Sequence, residues 1–167
     1  MQETRADRNL LLTFFLTFSR FEYALKACGF FKRPNSQTDN PLRALEAQPD
    51  WDRFAISLRS AFQPNRTEPL KRACEFISDS PPWKQVIVNG AVAWETPVRP
   101  VQESEIEFLL RMVRCVRNNL FHGGKHNIEV HENTERTTML LRSALVILEE
   151  CLALAPQIKH AFNEATI

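Results

Sequence analysis

The segment from residue 102 to residue 124 decides the fold class, and it reads QESEIEFLLRMVRCVRNNLFHGG. Its apolar residues recur at three- and four-residue spacing, which is the period of an α-helix with one buried face. These residues are Ile106, Leu109, Leu110, Val113, Val116, Leu120 and Phe121. Gly123 and Gly124 supply the left-handed backbone conformation that commonly ends a helix. We therefore predict a long helix from about residue 102 to residue 122.

Two further long helices are predicted on either side of the chain. The first covers about residues 7–32, where Asp7 is a suitable N-cap and apolar residues again keep a helical period. The second begins near Asn133 and continues to about residue 155, directly before Pro156. Long helices joined in this way are typical of a helical bundle.

The middle of the chain has a different composition. Nine of the ten prolines lie between residues 34 and 100. Because proline removes a backbone donor and clashes with the preceding helical turn, long helices are excluded there. We predict short helical pieces near residues 41–48, 50–62 and 68–78.

A β-hairpin is predicted around residues 84–95. Asn89-Gly90 separates two β-prone runs, and this dipeptide is the strongest short hairpin signal. An isolated hairpin is marginally stable in water, so we expect Trp83 or Trp94 to attach it to the body. The predicted fold class is thus all-α, a single domain over residues 1–167 with a small hairpin insertion.

The composition is that of a globular protein without an obvious bias. The 167 residues are 44% hydrophobic and 25% charged, with a net charge of +1, so any nucleic-acid site must be local. The four cysteines form no C-x-x-C pair, which favours reduced core thiols in a cytoplasmic protein over structural zinc. The apolar run at residues 10–18 is too short to span a bilayer, and we expect it in a buried helix or an oligomer interface.

Arg117 and His122 are the candidate catalytic residues, and Asn118 directly follows the arginine. A guanidinium binds phosphate oxygens through a planar fork of donors. An imidazole exchanges protons near neutral pH. Together these groups have the chemistry to cleave a phosphodiester without a metal or another cofactor.

Helix geometry constrains how the pair can meet. At 100° per residue, Arg117 and His122 differ by about 140° around the axis, whereas Asn118 and His122 share a face. Either the helix loosens in its last turn, or two copies of the helix face each other across a dimer. The second arrangement brings two arginines and two histidines to one cleft.

The charge around this pair favours an anionic ligand. Residues 111–127 contain four Lys/Arg residues, two histidines and no acidic residue. The auxiliary RNA-binding candidates are Arg111, Arg114, Asn119, Lys125 and His126. For Arg111 and Arg114 the competing interpretation is that they lie in solvent and complement the dipole at the helix C-terminus.

Two other interpretations concern single residues. His122 and His126 have a zinc-like spacing, but the two glycines between them break the helix, so we expect no metal site. Glu22 lies at the edge of the first helix's apolar face and is a candidate to hold Arg117 in place. The alternative for Glu22 is a surface ion pair of little energetic consequence.

The stretch from Arg117 to His122, with Asn118 after the arginine, resembles the Arg-x4–6-His signature of HEPN domains. These are small helical bundles of prokaryotic toxin–antitoxin, phage-defence and RNA-processing systems. The resemblance implies a metal-independent endoribonuclease whose cleft forms between two protomers. It also implies that the arginine and histidine act on the scissile phosphate and the ribose 2′-hydroxyl, with the polar residue assisting.

The predicted function is therefore RNA cleavage by a homodimer, with a cognate antitoxin or a defence-system partner as a further expectation from the resemblance. Two alternatives stay open at this point. One is a helical module that binds RNA or a nucleotide without cleaving it, and the other is a structural dimerisation module.

Overall fold

The computed structural model describes residues 8–33, 46–121 and 134–165. In this part of the chain six helices and one two-stranded sheet are present. The helices are α1 (Arg8–Ala27), α2 (Trp51–Leu58), α3 (Glu68–Asp79), α4 (Glu105–Phe121), α5 (Thr134–Leu154) and α6 (Pro156–Glu164). The strands are β1 (Lys84–Val88) and β2 (Ala91–Glu95). The all-α class with a small hairpin is thus confirmed for the described residues.

Helix α5 is the centre of the bundle. It packs against α1, α3, α4 and α6, while α2 packs on α4. Its residues Leu141, Ile147 and Cys151 are fully buried. Glu150 is also buried, and its carboxylate pairs with the Arg66 guanidinium from the connection between α2 and α3. The pairing supplies the partner that a buried charge requires.

The aromatic core lies between α1 and α2. Phe18 and Phe21 of α1 stack on the Trp51 ring at centroid distances of 5.2 and 5.1 Å. Phe54 contacts Phe21 edge to face at 5.6 Å. Offset and edge-to-face contacts are the arrangements that aromatic quadrupoles favour. The apolar run at residues 10–18 therefore contributes Phe14 and Phe18 to the core, as predicted.

Helix α1 is shorter than predicted and ends at Ala27 rather than near residue 32. Gly29 adopts a φ of +84°, and its N–H donates to the Lys26 carbonyl at 3.1 Å. The Phe30 N–H donates to the Leu25 carbonyl at 2.8 Å. This pair of bonds is a Schellman motif with glycine in the left-handed position. The apolar residues of the sequence keep a helical period beyond Gly29, which led to the longer prediction, but the glycine ends the helix.

The short helices begin at side-chain caps. Asp50 accepts a hydrogen bond from the Arg53 N–H at the start of α2, and Thr67 does so from the Leu70 N–H in α3. Both helices were predicted. The helical piece predicted at 41–48 is wrong for residues 46–48, which are not helical, and its first five residues lie outside the described range. Instead, Pro49 forms an isolated β-bridge with Phe31.

Helix α4 starts with the glutamate half of a capping box. Ser104 precedes the helix, and the Glu107 carboxylate accepts hydrogen bonds from both the N–H and the hydroxyl of Ser104. Glu107 also takes two hydrogen bonds of 2.7 Å from the Arg59 guanidinium. These donors, Arg59 first, lower the pKa of Glu107 to about 2. The helix carrying Arg117 is thus fixed firmly at its N-terminus.

The hairpin has the predicted turn. Asn89 and Gly90 both have positive φ values, 51° and 77°, as a type I′ turn requires. Its anchor is the backbone of Trp83, whose carbonyl accepts hydrogen bonds from Asn119 Nδ2 at 2.7 Å and Cys115 Sγ at 3.2 Å. The hairpin is therefore attached to α4 directly before its first strand.

Helix α6 was not predicted. Pro156 was read as the end of the preceding helix, and α5 does end at Leu154, but proline is also favoured in the first turn of a new helix. Ile158 is fully buried, and the Arg20 guanidinium donates to the Phe162 carbonyl at 2.8 Å. These contacts hold α6 against α1.

All four cysteines are free. Cys74, Cys115 and Cys151 are buried, and burial is the main cause that raises the pKa of Cys74 to about 12. Their burial agrees with the prediction of core thiols.

Candidate functional site

Arg117 lies one turn before the last residue of α4 and is half-buried. Its guanidinium carbon is 4.5 Å from the centre of the Phe121 ring and 5.8 Å from that of Phe18. A guanidinium over an aromatic face is stabilised by the ring quadrupole and is held in a defined position. Two aromatic rings therefore orient Arg117.

The hydrogen-bond partner of Arg117 is the neighbouring asparagine. Arg117 Nη1 donates to Asn118 Oδ1 at 3.1 Å, and the Asn118 side chain is exposed. Within the described ranges no carboxylate lies within ion-pair distance of Arg117. The remaining donors of the guanidinium fork carry a charge that no acidic side chain there compensates.

Arg111, two turns earlier on α4, has a different environment. Its guanidinium makes two hydrogen bonds of 2.8 and 2.7 Å to the Glu103 carboxylate and a third to the Val98 carbonyl at 3.1 Å. It also lies over the Phe108 ring, 5.2 Å from its centre. The fork of Arg111 is thus occupied by groups that stabilise the start of α4.

Arg114 is also paired. Its Nη1 donates to Asp52 Oδ1 of α2 at 2.8 Å. Arg111 and Arg114 line a cleft of about 160 Å³ between α2 and α4. The other lining residues are Trp51, Asp52, Ala55, Glu103, Glu107 and Leu110. Since three of the lining residues are acidic and two are basic, the cleft presents no excess positive charge to a phosphate.

The basic segment predicted from the sequence is therefore divided. Within the described residues, its positive charge at Arg111 and Arg114 is balanced by carboxylates from other segments, and that at Arg117 is not. The auxiliary RNA-binding role of Arg111 and Arg114 stays a prediction. Their ion pairs give them a structural role in addition.

Asn119 also has a structural partner. Its amide holds the Trp83 carbonyl, as described above, which connects the last turn of α4 to the hairpin. Because this bond occupies one amide donor, we assign Asn119 first to positioning the hairpin.

Glu22 does not pair with Arg117. Its carboxylate accepts a hydrogen bond of 3.1 Å from the Trp51 indole N–H. A tryptophan in the core requires such a partner for its donor, and Glu22 is the acceptor that α1 supplies. The predicted support of Arg117 by Glu22 is corrected accordingly. Phe18 and Phe121 take that role.

His122, Lys125 and His126 lie outside the described residues, as do Gly123 and Gly124. His122 is the residue directly after the last residue of α4. Its assignment rests on the sequence.

Sequence reasoning missed two aromatic residues beside Arg117. Phe15 of α1 and Phe121 of α4 have ring centres 4.8 Å apart, and 42% and 46% of these residues are exposed. The four-residue spacing of Arg117 and Phe121 was a usable signal, because such a pair shares one helix face. The proximity of Phe15 could not be read from the sequence.

Comparison with known protein families, with curated proteins and with solved structures finds no match for this chain. In the described part of the chain, no helix combines the length and the apolar character needed to cross a bilayer. The described residues also contain no cluster of three or more histidine, cysteine and acidic side chains suited to a metal ion.

Proposed function

We propose that this protein is a metal-independent endoribonuclease of the HEPN type that acts as a homodimer on single-stranded or loop RNA. The ribose 2′-oxygen attacks the adjacent phosphorus, and the bond to the 5′-oxygen breaks. The 2′-hydroxyl proton is removed and a proton is delivered to the leaving oxygen. The products are a 2′,3′-cyclic phosphate and a 5′-hydroxyl end.

In this mechanism the residues around the end of α4 have separate roles. Arg117 binds the scissile phosphate and stabilises the negative charge that grows in the pentacoordinate transition state. His122 removes the 2′-hydroxyl proton or protonates the 5′-oxygen. Asn118 orients the phosphate or the histidine.

The observation that carries the proposal is the environment of Arg117. Of the three arginines on α4, Arg111 and Arg114 are paired with carboxylates, whereas Arg117 is held by two aromatic rings and an amide oxygen. Aromatic rings and an amide orient a guanidinium without neutralising it. An oriented guanidinium that no carboxylate in the described part of the chain compensates is suited to bind a phosphate.

The surface of α1 supports the proposed homodimer. Leu12, Leu16 and Tyr23 lie on one side of this helix, opposite the core-facing stripe, and are 56%, 37% and 51% exposed. Exposed apolar side chains in a row commonly mark an interaction surface. A second copy docked here lies beside Arg117, because Phe15 of the same helix contacts Phe121.

The biological setting follows from the resemblance to HEPN domains. A ribonuclease of this kind is toxic unless it is restrained, so we place it in a toxin–antitoxin or phage-defence system of the cytoplasm. A cognate antitoxin or an activating signal then controls it.

The test is cleavage of single-stranded RNA by the purified protein in excess EDTA, with analysis of the new ends. We expect 2′,3′-cyclic phosphate products, and His122→Ala abolishes them. His160→Ala is the matched control, because His160 is exposed on α6, away from α4.

Two outcomes would contradict the proposal. If wild-type protein binds RNA but cuts none in any buffer, the non-catalytic binding module is the better description. If EDTA abolishes cleavage and added metal restores it, the metal-independent mechanism is wrong.

A further inference from the structure

The exposed aromatic pair next to Arg117 has no role in the mechanism above. Phe15 and Phe121 lie with ring centres 4.8 Å apart and planes tilted by 39°. Nearly half of each residue is exposed, although Phe14 and Phe18, on the core-facing side of α1, are buried. Two large aromatic side chains are thus exposed next to each other on the surface.

This surface adjoins Arg117, whose charge no carboxylate of residues 8–33, 46–121 and 134–165 compensates. The guanidinium of Arg117 lies against Phe121, 4.5 Å from the ring centre, and Phe15 contacts that same ring. The guanidinium of Arg117, the ring of Phe121 and the ring of Phe15 therefore form one continuous surface. The side chains belong to two helices, α1 and α4, that the core holds in fixed relation.

We propose that Phe15 and Phe121 form a base-binding subsite, in which an unpaired nucleobase stacks on the exposed rings while Arg117 holds the phosphate next to it. This inference rests on the proposed function and names its substrate class, because only an unpaired base can present its face to the rings. Proteins that bind single strands combine aromatic stacking with nearby cations in this way.

The charge decides between an RNA base and a second protein copy as the occupant. The buried centre of a protein–protein interface is depleted of charged residues, and an unpaired charge there is costly to bury. Arg117 makes no ion pair with any described carboxylate and lies against Phe121, one ring of the aromatic pair. A polyanion compensates this charge, whereas the apolar surface of another copy does not.

The experiment uses the full chain and short single-stranded oligonucleotides whose 2′-hydroxyls are replaced by fluorine, so that they bind without being cut. One probe carries a base at every position. Each probe of a second series lacks the base at one position, and the position differs from probe to probe. Stacking of one base contributes about 1–3 kcal/mol. We therefore expect the abasic site, at its most sensitive position, to weaken wild-type binding by about 5- to 150-fold.

Phe121→Leu removes the aromatic face and keeps an apolar side chain. We expect this variant, and separately Phe15→Leu, to bind the complete and the abasic probe with nearly equal affinity. Phe31→Leu is the matched control, since Phe31 is equally exposed at 42% but lies beyond the other end of α1. The control should keep the wild-type difference between the two probes.

The outcomes separate this inference from the proposed function. If RNA is cleaved in EDTA but an abasic site at every position leaves binding unchanged, the subsite is wrong and the ribonuclease stands. If the base-dependent affinity is found without cleavage, the subsite stands and the catalytic proposal is wrong. Dissociation of a dimer by Phe121→Leu or Phe15→Leu, seen in sedimentation velocity, would show that a second copy covers the rings and would overturn the subsite. Absence of any RNA binding by wild type would overturn it as well.

Discussion

The middle of α4 and its C-terminal part use the same residue type in opposite ways. In the middle of the helix, carboxylates balance the arginine charges, since Arg111 pairs with Glu103 and Arg114 with Asp52. Nearer the C-terminal end, Arg117 is oriented by rings and an amide, and no carboxylate in the described segments balances its charge. The comparison teaches that the number of basic residues in a segment does not measure its capacity to bind an anion. That capacity depends on whether each basic residue is already paired with a carboxylate.

The largest expected effect is on the rate of RNA cleavage, when Arg117 and Arg114 are replaced separately by alanine. Arg117→Ala removes the group that stabilises transition-state charge, and loss of one such donor typically costs about 10²–10³ in rate. Arg114→Ala removes an arginine whose charge Asp52 already balances, so we expect a change below about fivefold. Single-turnover cleavage of a labelled single-stranded RNA measures both.

Folding must be controlled in both variants. Circular dichroism and thermal melting should show each variant folded, because neither side chain lies in the buried core. Equal losses of activity in the two variants would break the distinction between the middle of α4 and its C-terminal part.

The next effect concerns the ion pair of Glu107 at the N-terminal end of α4 and its contribution to the stability of the fold. The hydrogen bonds from Arg59 and Ser104 lower the pKa of Glu107 to about 2, below its ordinary value of 4.5. A depressed carboxyl pKa stabilises the folded state above the ordinary value, and this contribution is lost as the pH falls from about 4.5 towards about 2. Glu107→Gln should therefore lower the melting temperature by about 2–4 °C at neutral pH.

The pH dependence distinguishes this effect from a general loss of packing. The difference in melting temperature between wild type and Glu107→Gln should shrink as the pH is lowered through this window. Glu105→Gln is the matched control, because Glu105 lies in the same helical turn and forms no ion pair with a described residue. A difference that stays constant with pH would contradict the assignment to Glu107.

Much of the fold could be predicted from local patterns. The turn at Asn89-Gly90 and the period of α4 specify their structures through neighbouring residues alone, and both are confirmed. Where one local rule competed with another, the prediction was wrong. Gly29 ended α1 although the apolar period continued, and Pro156 began a helix although it also ended one.

The candidate site was less predictable, since its electrostatics depend on distant residues. Asp52 precedes its partner Arg114 by 62 positions, and Phe15 lies far from Phe121 in the chain. The segment around Arg117 contains no acidic residue, so the sequence predicted a basic site. The structure shows that Glu103, directly before α4, balances Arg111 and that Asp52 of α2 balances Arg114.

The smallest expected effect comes from a variant in which the environment of Arg114 becomes similar to that of Arg117. Asp52→Asn removes the carboxylate that balances Arg114, so that this guanidinium, like that of Arg117, has no ion pair with a described residue. Each additional phosphate contact releases condensed counterions, so the dependence of log Kd on log salt should steepen by up to about 0.7 per site. We expect the affinity for single-stranded RNA at low salt to rise by only about two- to fivefold, because the amide of asparagine still offers Arg114 an acceptor. Asp79→Asn, an exposed change of the same charge on α3, is the control for net charge and should leave the slope nearly unchanged. If Asp52→Asn and Asp79→Asn raise affinity equally, the RNA responds to the overall charge of the protein, and the pairing of Arg114 with Asp52 does not limit binding.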